Sequence, residues 1–466
     1  MDPQIHTHES TPASRPLASM TAETLLTRDF DSRPALVYER LRGKYGAVAP
    51  VDLLGVPVWL VLGYAEVLEV LRNDRGIWSK NPDDWPAFGK GEVPADWPLR
   101  PTYASRGVSY SEGREHAEFR EMWSAALRPF QDRSQPQARL LEEEVRRYAD
   151  ELLSLLAESG QSGWADLSAQ YVRPLMLMVC NRLIGFGVGT EEALMDMWRV
   201  TDAGPDAPEA TARLAAMLTE VIVAKRQQPG DDLTSAMLAA RADLPVEQLA
   251  AEIGMLLGVV GDLTGSLICN TIVEVIVGNT AARASLAGGM VRETVNRAAM
   301  ANPANNNLTL RFATADTVLG GTVIMAGDPV MLSVAAAHAD PRFAQALDPS
   351  SVHSSRAHLA WGAGPHQCPG DELATTLVTI AVERLFERMA GLELALPADQ
   401  LPWRASPIMR GLRALPVRFR LREFPPQAPV PATGDEPRAE AEGPAAGTVS
   451  RSTLSRLVRA LLRQRS

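Results

Sequence analysis

The sequence predicts a mainly α-helical protein with small β-sheets, an α+β class, and three observations carry that expectation. From Glu115 to about Ala298 the apolar residues recur at helical spacing. Residues 47–62, 308–333 and 408–421 instead have the short, β-rich character of strands. The chain of 466 residues is also 46% hydrophobic, enough to bury a large core rather than remain disordered.

The elements follow in order. Residues 1–24 are polar with scattered prolines and read as a flexible lead-in. They show no basic segment followed by an apolar one, so no secretory signal is visible and a cytoplasmic location is expected. Ala47–Leu54 and Val56–Leu62 flank Gly55 as a hairpin. Residues 78–112 are irregular and rich in Pro, Gly and Trp, and so long an irregular stretch is more often functional than accidental. Its Trp85, Phe88, Trp97 and Tyr103, with the region Met195 to Leu214, are expected to cover a pocket, ordinary packing being the equal alternative.

Arg139–Leu156 places Leu140, Leu141, Val145, Tyr148, Leu152 and Leu156 at helical spacing. Ile253–Val277 is the most apolar long segment. Asp262, Asn270 and Glu274 interrupt it at a cost a lipid-facing helix would not bear, so it reads as a core helix. Residues 308–333 carry turn signals at Gly320–Gly321 and Gly327–Asp328. A helix from Asp371 to Met389 and a strand pair within 408–421 complete a domain spanning 25–424.

Beyond Pro425 the composition breaks. Residues 425–449 are Pro, Ala, Gly and acid, as in a flexible linker. Residues 450–466 place Leu454, Leu457, Val458, Leu461 and Leu462 on one helical stripe flanked by arginines. Such a basic amphipathic helix suits weak, salt-sensitive docking to an anionic membrane surface or a partner's groove, a frayed tail being the bland alternative.

A formal charge of −10 argues against general nucleic-acid binding. The three cysteines, Cys180, Cys269 and Cys368, are too few for a disulfide framework or a four-cysteine zinc site.

The chemistry concentrates in Trp361-Gly-Ala-Gly-Pro-His-Gln-Cys-Pro-Gly370. Gly362 and Gly364 permit tight turns and close approach to a flat ligand. Pro369 suits a first helical turn, which puts Cys368 at a helix amino end, where the dipole favours thiolate. A thiolate held there is a good axial ligand for iron. A buried small hydrophobe, or a nucleophile served by His366, are the competing readings. Upstream, His116 and Arg120 stand at i and i+4 on one helix face.

The loop resembles the haem-binding loop of cytochromes P450: an aromatic residue, Gly, then His two before Cys and Gly two after. Other marks of that family follow in order over roughly residues 40–424. The resemblance implies the cytochrome P450 fold, with Cys368 ligating the iron of haem b (iron protoporphyrin IX). Trp361, Gly362 and Gly364 would shape the loop, and His116, Arg120, Arg311 and His366 would bind the propionates.

Val259-Val-Gly-Asp-Leu-Thr264 resembles the family's oxygen-binding groove, which implies that Thr264 supports a proton-carrying water and that Asp262 is the candidate catalytic acid beside it. Leu263 stands where the family has its acid, and Asp262 lies one residue, about 100° of rotation, early. Glu293 opens the family's Glu-x-x-Arg motif, but Asn296 replaces the arginine. Arg297 at i+4 and Arg356 remain to complete the network with Glu293. Degenerate motifs of this kind resemble those of streptomycete family members encoded beside small signalling operons. Only four lysines against abundant arginine fits a GC-rich, actinobacterial source.

The function so implied is monooxygenation: two-electron activation of dioxygen and insertion of one oxygen atom into a small organic substrate. The cysteine count leaves no room for an iron–sulfur cluster beside haem, so a separate ferredoxin and reductase would supply the electrons. The alternatives are a haem-binding partner or sensor subunit with weak turnover, and a peroxide-using haem-thiolate enzyme.

Overall fold

The computed structural model describes residues 16–104, 107–158, 160–186, 191–202, 206–278, 280–346, 357–422 and 454–459. Eleven strands lie among them. β1 (Glu23–Thr24), β2 (Val48–Leu53), β3 (Val56–Val61), β4 (Trp78–Ser79), β6 (Asn307–Ala313) and β9 (Pro329–Ser333) form one sheet, in the order β1-β2-β3-β9-β6-β4. β5 (Ser162–Asp166), β10 (Met389–Leu394) and β11 (Pro416–Leu421) form a second, and β7 (Thr317–Leu319) with β8 (Thr322–Ile324) a hairpin.

The expected first hairpin is present. Val48 faces Val61 and Leu53 faces Val56, with Leu54 and Gly55 both at positive φ in the turn. That geometry suits a two-residue hairpin connection. Alternate residues then enter two cores: Val58 and Leu60 pack in one, Trp59 and Val61 in the other or along its edge.

The main helices are α1 (Tyr64–Arg72), α2 (Gly113–Gln131), α3 (Pro136–Ala157), α4 (Arg173–Ile184), α5 (Val246–Leu256), α6 (Gly265–Val277), α7 (Val291–Ala301) and α8 (Asp371–Arg388). A π-helical segment, Leu257–Thr264, joins α5 to α6. Val246–Val277 is thus a continuous run of 32 residues, long and apolar enough to cross a membrane, yet 72% of its most apolar window is buried within the protein. It is the core helix that its polar interruptions imply. Against it and its neighbours pack Trp123 of α2, Val145 and Leu152 of α3, Met176 and Val179 of α4 and Leu377 of α8.

Four expectations are corrected. The described part of the lead-in is ordered: Leu17 is buried, and Glu23–Thr24 pairs in parallel with Val51–Asp52. The helical stretch 115–298 contains β5, whose partner β11 lies far along the chain, and local periodicity cannot register such a pairing. Residues 408–421 hold one strand rather than two; Met409 and Leu412 make only isolated bridges, to Asn305 and Trp403. The described part of the tail stripe is also not free, while Leu461 and Leu462 lie outside the described residues. Residues 454–459 are helical, with Leu454 and Leu457 at 0% and 1% exposure in the main helical core and Val458 packed beside them. Burying its own stripe leaves that part of the helix no apolar face for a membrane or partner. The linker, 425–449, lies outside the described residues.

Two consequences are measurable. Each buried leucine contributes about 2 kcal/mol or more. Deleting residues 450–466 should therefore lower the melting temperature and raise binding of an apolar dye; unchanged values for both would mean the tail does not dock. The second concerns His338, whose Nδ1 stands 3.0 Å from the Met300 carbonyl while Nε2 accepts the Leu359 N–H at 2.7 Å. Burial pushes this imidazole down to about 4, below its unfolded value, so its contribution is complete above about pH 6.5 and is lost as pH falls toward 4. The loss should amount to about 2 kcal/mol, allowing for the part of the ring that solvent reaches. His338→Gln should flatten the dependence of melting temperature on pH between 6.5 and 4.5, and an identical slope would remove His338 from the account.

Candidate haem site

The glycine loop leads into α8. Trp361 O accepts the Cys368 N–H at 2.8 Å, and Gly364 O accepts the Gln367 N–H at 3.1 Å. Gly362 (φ 71°) and Gly364 (φ 68°) turn the chain in the left-handed region, where a side chain is strained. The two differ in role. Gly362 lines the cavity described below, whereas a Cβ on Gly364 would stand 2.3 Å from the Leu71 carbonyl. Gly364 therefore lets the loop press on α1 and, contrary to expectation, does not face the ligand space. The helix opens at Asp371, where the sequence places its start, so Pro369 lies in the turn that leads into it.

Cys368 does not behave as the helix end alone would suggest. Burial pushes its thiol up to about 11; the Gly370 N–H, 3.4 Å from Sγ, opposes this, while Asp371 adds to it. Desolvation by the apolar wall outweighs the dipole. A cation on the sulfur would reverse the balance, because a coordinating thiol is deprotonated outright. Cys180 and Cys269 are buried in helices at about 12 and do not line the cavity.

The cavity encloses about 750 Å³ between the Cys368 loop, α2, β6 and the central helix. Of the residues expected there, Cys368, Trp361, Gly362, His116, Arg120, Arg311, His366 and Thr264 all line it. At the cradle end the His116 and His366 rings lie 3.9 Å apart. His366 Nε2 is 3.3 Å from Glu112 Oε1. Burial raises the Glu112 carboxyl, but His366, the Lys80 N–H and Arg311 together hold it below its ordinary value. Burial lowers both imidazoles, His366 to about 4, so His366 is uncharged near neutral pH and the permanent charge comes from the arginines. Arg120 donates to the Gln367 carbonyl, tying α2 to the cysteine loop.

Lys80 and Tyr110 join this group without a signal in the sequence. Lys80 is 9% exposed, its ammonium 5.4 Å from the Tyr110 ring centroid and pushed well below its ordinary value by burial and by Arg311. Arg311 is 5% exposed and pushed down to about 10 by burial, and among the described residues neither its Nη1 nor His116 Nε2 has a hydrogen-bond partner. Buried cations and donors left unpaired around one apolar space call for an anionic ligand edge. The propionates of haem, with a thiol across the space, fit that donor set.

At the central helix the π segment keeps Gly258, Val259, Val260, Leu263 and Thr264 on the cavity. Thr264 Oγ1 donates to the Val259 carbonyl at 2.9 Å, five residues back, as the wider turn allows. Asp262 is a correction. It is absent from the cavity wall and ion-paired with Arg404, Nη1 standing 2.7 and 2.8 Å from its two oxygens. The single-residue displacement rotates the carboxylate away and leaves Leu263 in its place.

In α7, Arg297 Nε lies 3.3 Å from Glu293 Oε1 without hydrogen-bond geometry. Arg356, the third member expected, lies outside the described residues. The link from α7 to the cysteine helix is instead Arg292–Glu372, with Nη1 2.8 Å from Oε1. The aromatic residues of 78–112 are also corrected. Trp85, Trp97 and Tyr103 pack with Phe88 and Phe312 in a separate core, Trp85 and Phe312 stacking at 5.2 Å. Tyr110 and the segment 107–109 line the cavity instead, and among the described residues of 195–214 none does.

A helical fold with a glycine-loop cysteine facing a cationic cradle across an apolar cavity defines the haem-thiolate class. The family model for cytochrome P450 matches residues 301–390. The chain is 30% identical over 430 residues to cytochrome P450 monooxygenase PikC of Streptomyces venezuelae, covering 89% of this chain and 97% of that protein. It is 30% identical to pentalenolactone synthase of Streptomyces exfoliatus, covering 81% and 94%. Among solved structures it is similar to CYP154A1 from Streptomyces coelicolor A3(2), with 31% identity and a TM-score of 0.69, covering 82% of this chain and 97% of that one. The chain belongs to the cytochrome P450 family and is a bacterial haem monooxygenase.

Proposed function

We propose that Cys368 is the axial ligand of haem b, that His116, Arg120, Arg311, His366 and Lys80 hold its propionates, and that the remaining cavity receives an apolar organic substrate. The observation that carries this reading is one cavity with Cys368 on its wall and the unpaired Arg311 and His116 at one end. Haem bound there supplies the activation of dioxygen and the transfer of one oxygen atom to substrate; the second atom leaves as water, with two electrons and two protons consumed.

The chain's own residues handle placement and protons. Val259, Val260, Leu263, Ile408 and Met409 keep the substrate side apolar and exclude bulk water. Thr264 donates its O–H in a hydrogen bond to the Val259 carbonyl, so its oxygen is left to accept, which suits it to hold a water that carries protons inward. With Asp262 engaged by Arg404, Thr264 serves this role without the neighbouring acid. Electrons come from a separate ferredoxin and reductase: two cysteines are buried in helices and the third faces the cavity, so none remains for a cluster.

The test supplies NADPH, ferredoxin and ferredoxin reductase to the holoenzyme with a substrate found by Soret shift. Product should form, and Thr264→Val, which keeps the shape but loses the hydroxyl, should yield at least about tenfold less product per NADPH. Product formation with hydrogen peroxide alone, unaffected by Thr264→Val, would overturn both the electron route and the role of Thr264.

A further inference from the structure

Glu252 lies on α5, 12 residues before Thr264 and several turns away along the central helix. It lines the same cavity but is only 3% exposed. Its two oxygens are used by two different elements: Oε1 accepts the Val108 N–H at 3.1 Å, and Oε2 accepts the Trp123 indole N–H of α2 at 2.6 Å. Gly107, at φ +151°, packs so close that a Cβ there would stand 2.0 Å from Oε1. Ser109 adds a second tie to α5, with Oγ 3.4 Å from Met255 Sδ. Burial raises the Glu252 carboxyl, opposed only by these two N–H donors.

A buried acid with no basic partner among the described residues is a costly way to fill space, and an apolar side chain would pack there at less expense. What the carboxylate adds is direction. It fixes two N–H groups from separate elements at one point, and the segment so fixed, 107–110, is cavity wall.

Resting on the reading of this cavity as the substrate chamber, we infer that Glu252 is a positioning residue for substrate selection: it pins segment 107–110 between α5 and α2 and so sets the chamber's shape along that wall. Glu252→Gln presents an amide N–H₂ to one of the two N–H donors and loses that bond. Gly107→Ala forces the carboxylate and the segment apart while leaving the acid in place.

The experiment titrates the holoenzyme and each variant with imidazole and with 4-phenylimidazole, read by the Soret shift. Imidazole needs only the iron, whereas the phenyl ring extends into the chamber. Both variants should bind 4-phenylimidazole on the order of tenfold more weakly, as expected for one lost charge-assisted hydrogen bond, with imidazole affinity within about twofold and the carbon monoxide spectrum unchanged. If one variant fails to fold, the other carries the test. A ratio of the two affinities equal to wild type, with normal haem content, overturns the inference and leaves the haem reading intact. Absence of any azole-induced shift in wild type overturns the chamber reading, and the inference with it.

Discussion

Cys368→Ala yields a protein whose reduced carbon monoxide complex lacks the red-shifted Soret band of thiolate-ligated haem, and the loss is complete. The other two thiols cannot substitute. Cys180 is 0% exposed in α4 and Cys269 is 3% exposed in α6; both are held at about 12 by burial, and neither borders the cavity. The loop around Cys368 is otherwise held by backbone bonds, Cys368 N–H to Trp361 O and Gln367 N–H to Gly364 O, so removing Sγ leaves its path intact. The variant should therefore fold and still take up some haem through its cationic cradle. Retention of a thiolate spectrum in this variant would assign the ligand elsewhere.

Arg311→Leu gives the second large effect, and it separates ligation from folding. Its guanidinium is buried and pushed down to about 10, which corresponds to about 3 kcal/mol against the charged form in the haem-free protein. Replacing a buried cation whose desolvation outweighs the attraction of Glu112 with an apolar side chain should raise the melting temperature of the haem-free protein or leave it unchanged. With haem bound the sign reverses, because a charge-assisted contact to a propionate is lost. Transfer of haem to an excess of apomyoglobin should then be faster by at least about tenfold. Lys80→Met should act in the same direction. A haem-free protein that melts lower, with haem loss unchanged, would make Arg311 a structural residue.

The sequence made the consecutive parts of the site legible. Trp361 to Gly370 is one uninterrupted loop, and His116 with Arg120 share a helix face, so spacing alone brings them together. Lys80, Glu112 and Glu252 had no such local partner. They meet through the packing of loop, α2 and α5, and each reads in the sequence as a solitary charge. Asp262 was legible as displaced, but its partner Arg404 lies 142 residues away. The tail stripe was likewise readable, since Leu454 and Leu457 fall at helical spacing; that it is buried against the chain's own core depends on a surface that no local pattern describes. β5 escaped for a related reason. Its first three residues are exposed, including Trp164, so it has no apolar alternation to read, and its pairing with β11 alone makes it a strand.

The central claim is that this cavity performs monooxygenation with electrons delivered from outside. Mass spectrometry of the product formed under ¹⁸O₂, with NADPH, ferredoxin and reductase, tests it most directly. The account predicts one ¹⁸O atom per oxygen inserted, none when the electron donor is omitted, and no product from Cys368→Ala. Product oxygen derived from water, or ¹⁸O-labelled product from Cys368→Ala at the wild-type rate, would contradict it.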